Sequence, residues 1–200
     1  MLLLTIAHKG EAQEFLKRSF TQPADYHFSG VYRDGDNILL LTGEGIENAI
    51  LRTSSVLTYF GIKIDRVLNM GIAGALDPRL QINQIYGIRK VFCENEIERE
   101  NSFILCKETH SKIDCVTAKK PVSDPDYVAS LKQLAPIVDR ELWGVGFSCV
   151  NFKIPFKSYK LISDDASNNK DHNEIKTKAS YYSKHLYDFY KNLSLTKDSW

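Results

Sequence analysis

Three carboxylates stand where expected strands give way to loops or helix starts. Glu11 follows the run Leu2 to Ala7, in the segment Ala7-His8-Lys9-Gly10-Glu11. Glu141 follows Ile137-Val138, and Asp164 closes the run Phe156 to Ile162 within Ser163-Asp164-Asp165. Two glycine-bearing stretches hold comparable places: Thr42-Gly43-Glu44-Gly45 and Gly71-Ile72-Ala73-Gly74-Ala75. In an open α/β sheet the ligand crevice lies beyond the carboxyl ends of the strands. Acids gathered there are the groups that proton transfer requires. The pattern alone therefore points to a small-molecule site. Taken singly, each acid has an ordinary reading. Glu11 and Glu141 suit the first turn of a helix, where the dipole favours negative charge, and Asp164 suits a cap.

The elements that must position these groups alternate between short apolar runs and amphipathic stretches, which predicts an α/β fold. Leu2 to Ala7 reads as a buried first strand, followed by a helical segment over Glu11 to Leu16. Tyr26 to Tyr32 and Asn37 to Thr42 flank the turn signal Asp34-Gly35-Asp36, as a hairpin would. A helix is expected from Gly45 through Phe60, and a strand over Arg66 to Met70 that runs into the glycine stretch. Further strands are expected over Gln84 to Cys93, Ser102 to Cys106, Ile113 to Thr117 and Ile137-Val138. Helices are expected from Asp124-Pro125-Asp126, over Glu141 to Phe152 with Trp143 in the core, and over Glu174 to Leu195. Within Ser163-Asp164-Asp165, strand alternation turns Asp165 away from Asp164.

Composition sets the outer bounds. The chain has 200 residues, 43% hydrophobic and 26% charged, with 26 basic and 25 acidic side chains and a formal net charge of +1. That length suits one domain, taken here as residues 1–200. The balance is that of a folded globular protein and builds no one-sided positive field for nucleic acid or an anionic membrane. No apolar run reaches membrane-span length. The N-terminal run lacks a basic start, so it reads as a strand and not a signal peptide. Cys93, Cys106, Cys115 and Cys149 form no CxxC pair and have no His at metal-ligand spacing, so free thiols in a reducing cytoplasm are expected.

Four segments in order carry a family resemblance. They are Ala7-His8-Lys9-Gly10-Glu11; Thr42-Gly43-Glu44-Gly45-Ile46-Glu47-Asn48-Ala49; and Asn69-Met70-Gly71-Ile72-Ala73-Gly74-Ala75-Leu76-Asp77-Pro78. The fourth is Val138-Asp139-Arg140-Glu141 with Ile154-Pro155-Phe156 and Leu161-Ile162-Ser163-Asp164-Asp165-Ala166. The set resembles the purine nucleoside phosphorylase and nucleosidase superfamily, and within it the methylthioadenosine/S-adenosylhomocysteine nucleosidases and futalosine hydrolase. Only the middle, about Glu94 to Asp114, has no clear counterpart. The resemblance implies a three-layer α/β/α sandwich with a central mixed twisted sheet. It implies a nucleosidase that cleaves a purine nucleoside with water, with no metal and no organic cofactor, as a homodimer.

Residue by residue, the resemblance makes Glu11 the acid that orients the attacking water and Asp164 the proton donor toward purine N7. Glu141 becomes the carboxylate that grips the ribose hydroxyls. Thr117 to Val122 falls at the base-binding loop, with Val122 offering main-chain contacts. Gly71, Ile72, Arg140 and Ser163 fall at substrate-contacting positions. The chemistry fits these types, because cleavage passes through a cation-like sugar and a leaving base that must shed negative charge.

Departures from the family pattern keep two other readings in play. Phosphorylases of the superfamily bind phosphate through the glycine loop, an Arg and a Ser; here Glu44, Asn69 and Ile72 stand instead, and would repel or desolvate an anion. Arg140 replaces a residue that is usually Met, so either the sugar floor is polar or Arg140 points away. Lys119 and Pro121 replace acidic and aromatic residues near the base. A phosphate-dependent phosphorylase and a nucleoside-binding protein without catalysis are therefore the alternatives to hydrolysis.

Overall fold

The computed structural model describes residues 1–23, 28–94, 103–107, 113–166 and 177–193. Its strands are β1 (Leu2–Ile6), β2 (Gln22–Pro23), β3 (Val31–Asp34), β4 (Asn37–Leu41), β5 (Arg66–Ala75), β6 (Ile85–Cys93), β7 (Phe103–Leu105), β8 (Ile113–Thr117), β9 (Ile137–Asp139) and β10 (Phe156–Asp165). The helices are α1 (Gln13–Arg18), α2 (Ile46–Phe60), α3 (Pro125–Lys132), α4 (Leu142–Asn151) and α5 (Ala179–Asn192). The expected hairpin strand and C-terminal helix are present, but their expected starts at Tyr26 and Glu174, and the expected helix end at Leu195, lie outside the described residues.

The strands form one mixed sheet in the order β10-β6-β8-β9-β5-β1-β4-β3-β2, with β7 beside β6. Because β10 also pairs with β5, the strands β5, β9, β8, β6 and β10 close on themselves. β1 lies between β4 and β5, parallel to both. Buried on both faces, it has no polar alternation to show, which explains a run that is apolar but for the buried Thr5. Its side chains still alternate: Leu3 joins the core under α2 and α4, while Leu2, Leu4 and Ile6 join the core under α1 and α5. A third cluster seats α3 through Val128 and Leu131 on Val116 and Val138. Helices thus cover both faces of the sheet, as the three-layer expectation required.

Gly144 sets the closeness of α2 to α4, since a Cβ there would stand 2.6 Å from the Ile46 carbonyl. All four cysteines are free, and Trp143 packs partly buried against the core. Among the described residues, no helix is long and apolar enough to cross a membrane.

Two strands run further than the sequence suggests. β5 continues through the glycine stretch to Ala75, and β10 continues through Ser163 to Asp165. Each continuation is paired: Asp164 with Gly74 and Asp165 with Ala75 on β10, and Gly74 with Val138 on β9. The glycines are therefore strand residues and not a loop; their lack of a side chain admits close neighbours. A Cβ on Gly74 would meet the Ala166 Cβ at 2.9 Å.

Candidate active site

A cavity of about 560 Å³ opens where the ends of β1, β4, β5 and β10 meet the β9–α4 turn and the loop after β8. That volume is ordinary for a small-molecule site. Of the residues singled out from sequence, Glu11, Ile72, Val122, Arg140, Glu141, Ser163 and Asp164 all line it. Gly71 does not. It lies behind Glu11, where a Cβ would come within 2.7 Å of the Glu11 Oε2. Gly71, expected at a substrate-contacting position, stands behind the lining and makes room for a carboxylate.

Glu11 precedes α1 and is not part of its first turn, whose acid is Glu14. It turns inward instead, 5% exposed, and its Oε2 accepts from the Ile72 N–H at 3.0 Å. Burial raises its pKa above the ordinary value; His8, the Ile72 N–H and Lys160 pull the other way, and Asp139 adds to the rise.

Glu141 holds the N-cap position of α4, but its carboxylate does not cap that helix. Its Oε1 accepts from the Gly45 N–H at 2.9 Å, at the start of α2. Gly45 has φ 88°, a conformation that favours glycine, and the glycine loop thus presents its amide to the protein's own carboxylate. Burial, and next the charge of Asp139, push the Glu141 pKa up to about 8.

Between these acids lies an ion pair that sequence reasoning did not find. The Lys160 Nζ stands 2.7 Å from Asp139 Oδ2, with the two side chains 3% and 1% exposed. Asp139 also accepts from the Thr117 hydroxyl at 2.7 Å and from the Leu142 N–H at 2.9 Å, which fixes the start of α4. Burial works against the Lys160 charge, but Asp139, Cys115 and Glu141 outweigh it and leave the pKa raised. The available signal was a lysine between Tyr159 and Leu161, in the middle of a strand; lone buried charges are expelled unless paired.

Asp164 and Ser163 both face the cavity, although strand alternation would place neighbours on opposite sides. A register shift between Ile162 and Asp164 makes this possible, since a bulge inserts a residue and re-aims the side chains around it. The Ser163 hydroxyl donates to Asp164 Oδ1 at 2.5 Å, and the Tyr182 hydroxyl donates to the Ser163 carbonyl at 3.0 Å. Asp165 is not among the lining residues.

Arg140 lines the cavity, and its Nη2 lies 3.5 Å from the Lys119 carbonyl. Asn69 is placed elsewhere than the phosphate comparison supposed. Buried, it bonds Thr5 Oγ1 at 3.1 Å and accepts from Ser158 at 3.0 Å. Glu44 lines the mouth, 3.4 Å from His8 Nε2. Among the described residues, no group of three or more His, Cys, Asp or Glu side chains is arranged to hold a metal ion.

The arrangement of strands around this cavity is shared with solved structures. A mutant futalosine hydrolase of Helicobacter pylori superposes with a TM-score of 0.81 at 17% identity, over 95% of this chain and 96% of that one. A mutant methylthioadenosine/S-adenosylhomocysteine nucleosidase of the same organism, with 5'-methylthioadenosine in its active site, gives 0.80 at 18%, over 95% and 96%. The fold is that of the nucleosidases. A putative methylthioadenosine/S-adenosylhomocysteine nucleosidase of Borrelia burgdorferi bound to adenine gives 0.79 at 19%, over 96% and 98%. No family model matches the chain, and no curated protein matches its sequence. At these identities the nucleosidase fold is what the likeness establishes.

Proposed function

We propose that the protein is a nucleosidase that hydrolyses the N-ribosidic bond of a purine nucleoside. The substrate is of the methylthioadenosine, S-adenosylhomocysteine or futalosine type. The observation that carries this reading is the meeting of Glu11, Glu141 and Asp164, from distant parts of the chain, around one cavity in a nucleosidase fold. In this reading, the acid form of Asp164 gives its proton to purine N7 as the bond from C1′ to N9 breaks. The bonding electron pair leaves with the base. Water adds to C1′ from the other side and loses its proton to Glu11, giving free sugar and neutral base. Glu141 holds the ribose hydroxyls, and its ionised form, reached as pH rises through about 8, favours the cationic sugar. The Ile72 N–H and the field of Lys160 support the ionised form of Glu11 against the cost of its burial. Ser163 supports Asp164, Val122 faces the base, and Ile72 and Arg140 complete the walls. The reaction as written uses neither metal nor organic cofactor.

Water is favoured over phosphate because donors that would hold an anion are engaged by the protein's own acids. Glu11, Glu44, Asp139, Glu141 and Asp164 line the cavity beside His8 and Arg140. The Gly45 N–H, the donor an anion would seek at the start of α2, is taken by Glu141. Lys160 is engaged by Asp139. We further propose a homodimer formed through α2 and α4, where Leu51, Tyr59, Phe147 and Val150 leave apolar side chains 43–66% exposed. A reducing cytoplasm suits the four free thiols.

The test is base release from methylthioadenosine and inosine, with and without phosphate, in wild type, Glu11→Gln and Asp164→Asn. Release that needs no phosphate, and that falls at least about 10²-fold in both variants, is expected. A requirement for phosphate would make the protein a phosphorylase. Nucleoside binding without release would make it a binding protein.

A further inference from the structure

The loop that carries Pro121 and Val122 into the cavity wall is exposed on its outer side, with Lys119, Lys120, Pro121 and Ser123 all open to solvent. A loop so open keeps its place only through specific contacts. Its main chain is held at Lys119 from two directions. The Lys119 N–H donates to Glu94 Oε2 at 2.9 Å, from just beyond β6, and its carbonyl faces the Arg140 guanidinium. The Tyr127 hydroxyl, from the first turns of α3, donates to the same Glu94 oxygen. The backbone amides of Lys119 and Lys120 face that hydroxyl as well, and Lys120 Nζ lies 4.5 Å from the centre of the Tyr127 ring. Asp124 then caps α3 by accepting from the Tyr127 N–H at 2.9 Å, which fixes the tyrosine that fixes the loop. Neither Glu94 nor Tyr127 lines the cavity.

We propose that Glu94 and Tyr127 form a brace that sets the position of loop 118–123 and so the affinity of the cavity for the purine base. The assignment rests on the nucleosidase reading for the identity of the ligand, and on the observed contacts for the brace itself. Both are positioning residues. The brace holds the loop through contacts within the protein, so the site does not spend base-binding energy on ordering it. Its influence falls on binding more than on the bond-breaking step, because Asp164, Glu11 and Glu141 are held by other partners.

The experiment compares wild type, Glu94→Ala, Glu94→Gln and Tyr127→Phe by three measurements: amide exchange over 118–123, titration with adenine and with hypoxanthine, and steady-state kinetics. Gln keeps a side-chain oxygen that can accept from Lys119 and Tyr127, whereas Ala removes it. In Glu94→Ala, exchange over 118–123 and the dissociation constant of the bound base should both rise about tenfold, the loss expected for a charge-assisted hydrogen bond. KM should rise alongside while kcat changes less than about threefold. Glu94→Gln should recover most of each effect, and Tyr127→Phe should fall between. Unchanged exchange in Glu94→Ala overturns the brace. So does a fall in kcat at constant KM, or a wild type that binds neither base. Exchange and titration need no turnover, so a wild type that binds a base but releases none sinks the nucleosidase reading and leaves the brace to be judged by these two.

Discussion

Replacing Lys160 by Met separates the electrostatic reading of the site from a purely packed one. The Nζ is 2.7 Å from Asp139 Oδ2, and the two side chains are 3% and 1% exposed. Met fills a comparable volume but leaves Asp139 buried without its cation. Breaking a buried pair in this way costs roughly 3–5 kcal/mol. For a chain of 200 residues, about 2–4 °C is lost per kcal/mol, so the melting temperature should fall by roughly 6–20 °C. The deficit should also depend on pH. Lys160 itself has a folded pKa above its ordinary 10.5, so its own contribution is complete below about pH 10 and constant between pH 6 and 9. Its field, however, lowers the pKa of both Glu11 and Glu141. Without it those acids hold protons more tightly, and ionising them at pH 9 costs more than at pH 6. Denaturant titration at both pH values is the assay, with Lys160→Met/Asp139→Asn as the partner variant. Asn removes the unpaired charge and keeps one oxygen for the Leu142 N–H, with its NH2 turned to the Thr117 hydroxyl oxygen, so the double variant should recover at least half of the loss. A deficit below about 1 kcal/mol at both pH values, or a double variant no better than the single, would refute the argument.

Two other perturbations read separate parts of the structure. Glu141 has a folded pKa of about 8 against an ordinary 4.5, so the fold binds its proton more tightly than the unfolded chain does. Its stabilising contribution is complete below about pH 4.5 and is lost as pH rises through about 8. Glu141→Gln keeps an oxygen for the Gly45 N–H and should flatten that decline, matching wild type near pH 4 and exceeding it at pH 9 in denaturant midpoint; parallel profiles would contradict the assignment. Leu51→Glu with Phe147→Glu places charge on the apolar α2–α4 face and should convert a dimer to a monomer in sedimentation. A wild type that sediments as a monomer at high concentration removes the dimer proposal outright.

The amino-acid order by itself determined the alternation of strands and helices, because burial imposes periods that survive in a single sequence. The capped start of α3 at Asp124-Pro125 and the burial of β1 could be read directly. So could the three carboxylates, because each stood near a strand end. Tertiary structure decided what those acids face. Closure of β5, β9, β8, β6 and β10 brings Lys160 against Asp139, a pairing between strands that touch at no point in local sequence. The bulge after Ile162 turns both Ser163 and Asp164 into the cavity, where alternation admitted only one of them. The same closeness made Gly71 a space for the Glu11 carboxylate, a role set by a neighbour 60 positions away. Local sequence records backbone preference and burial; the field on a buried acid is set by groups that only the closed sheet brings near it.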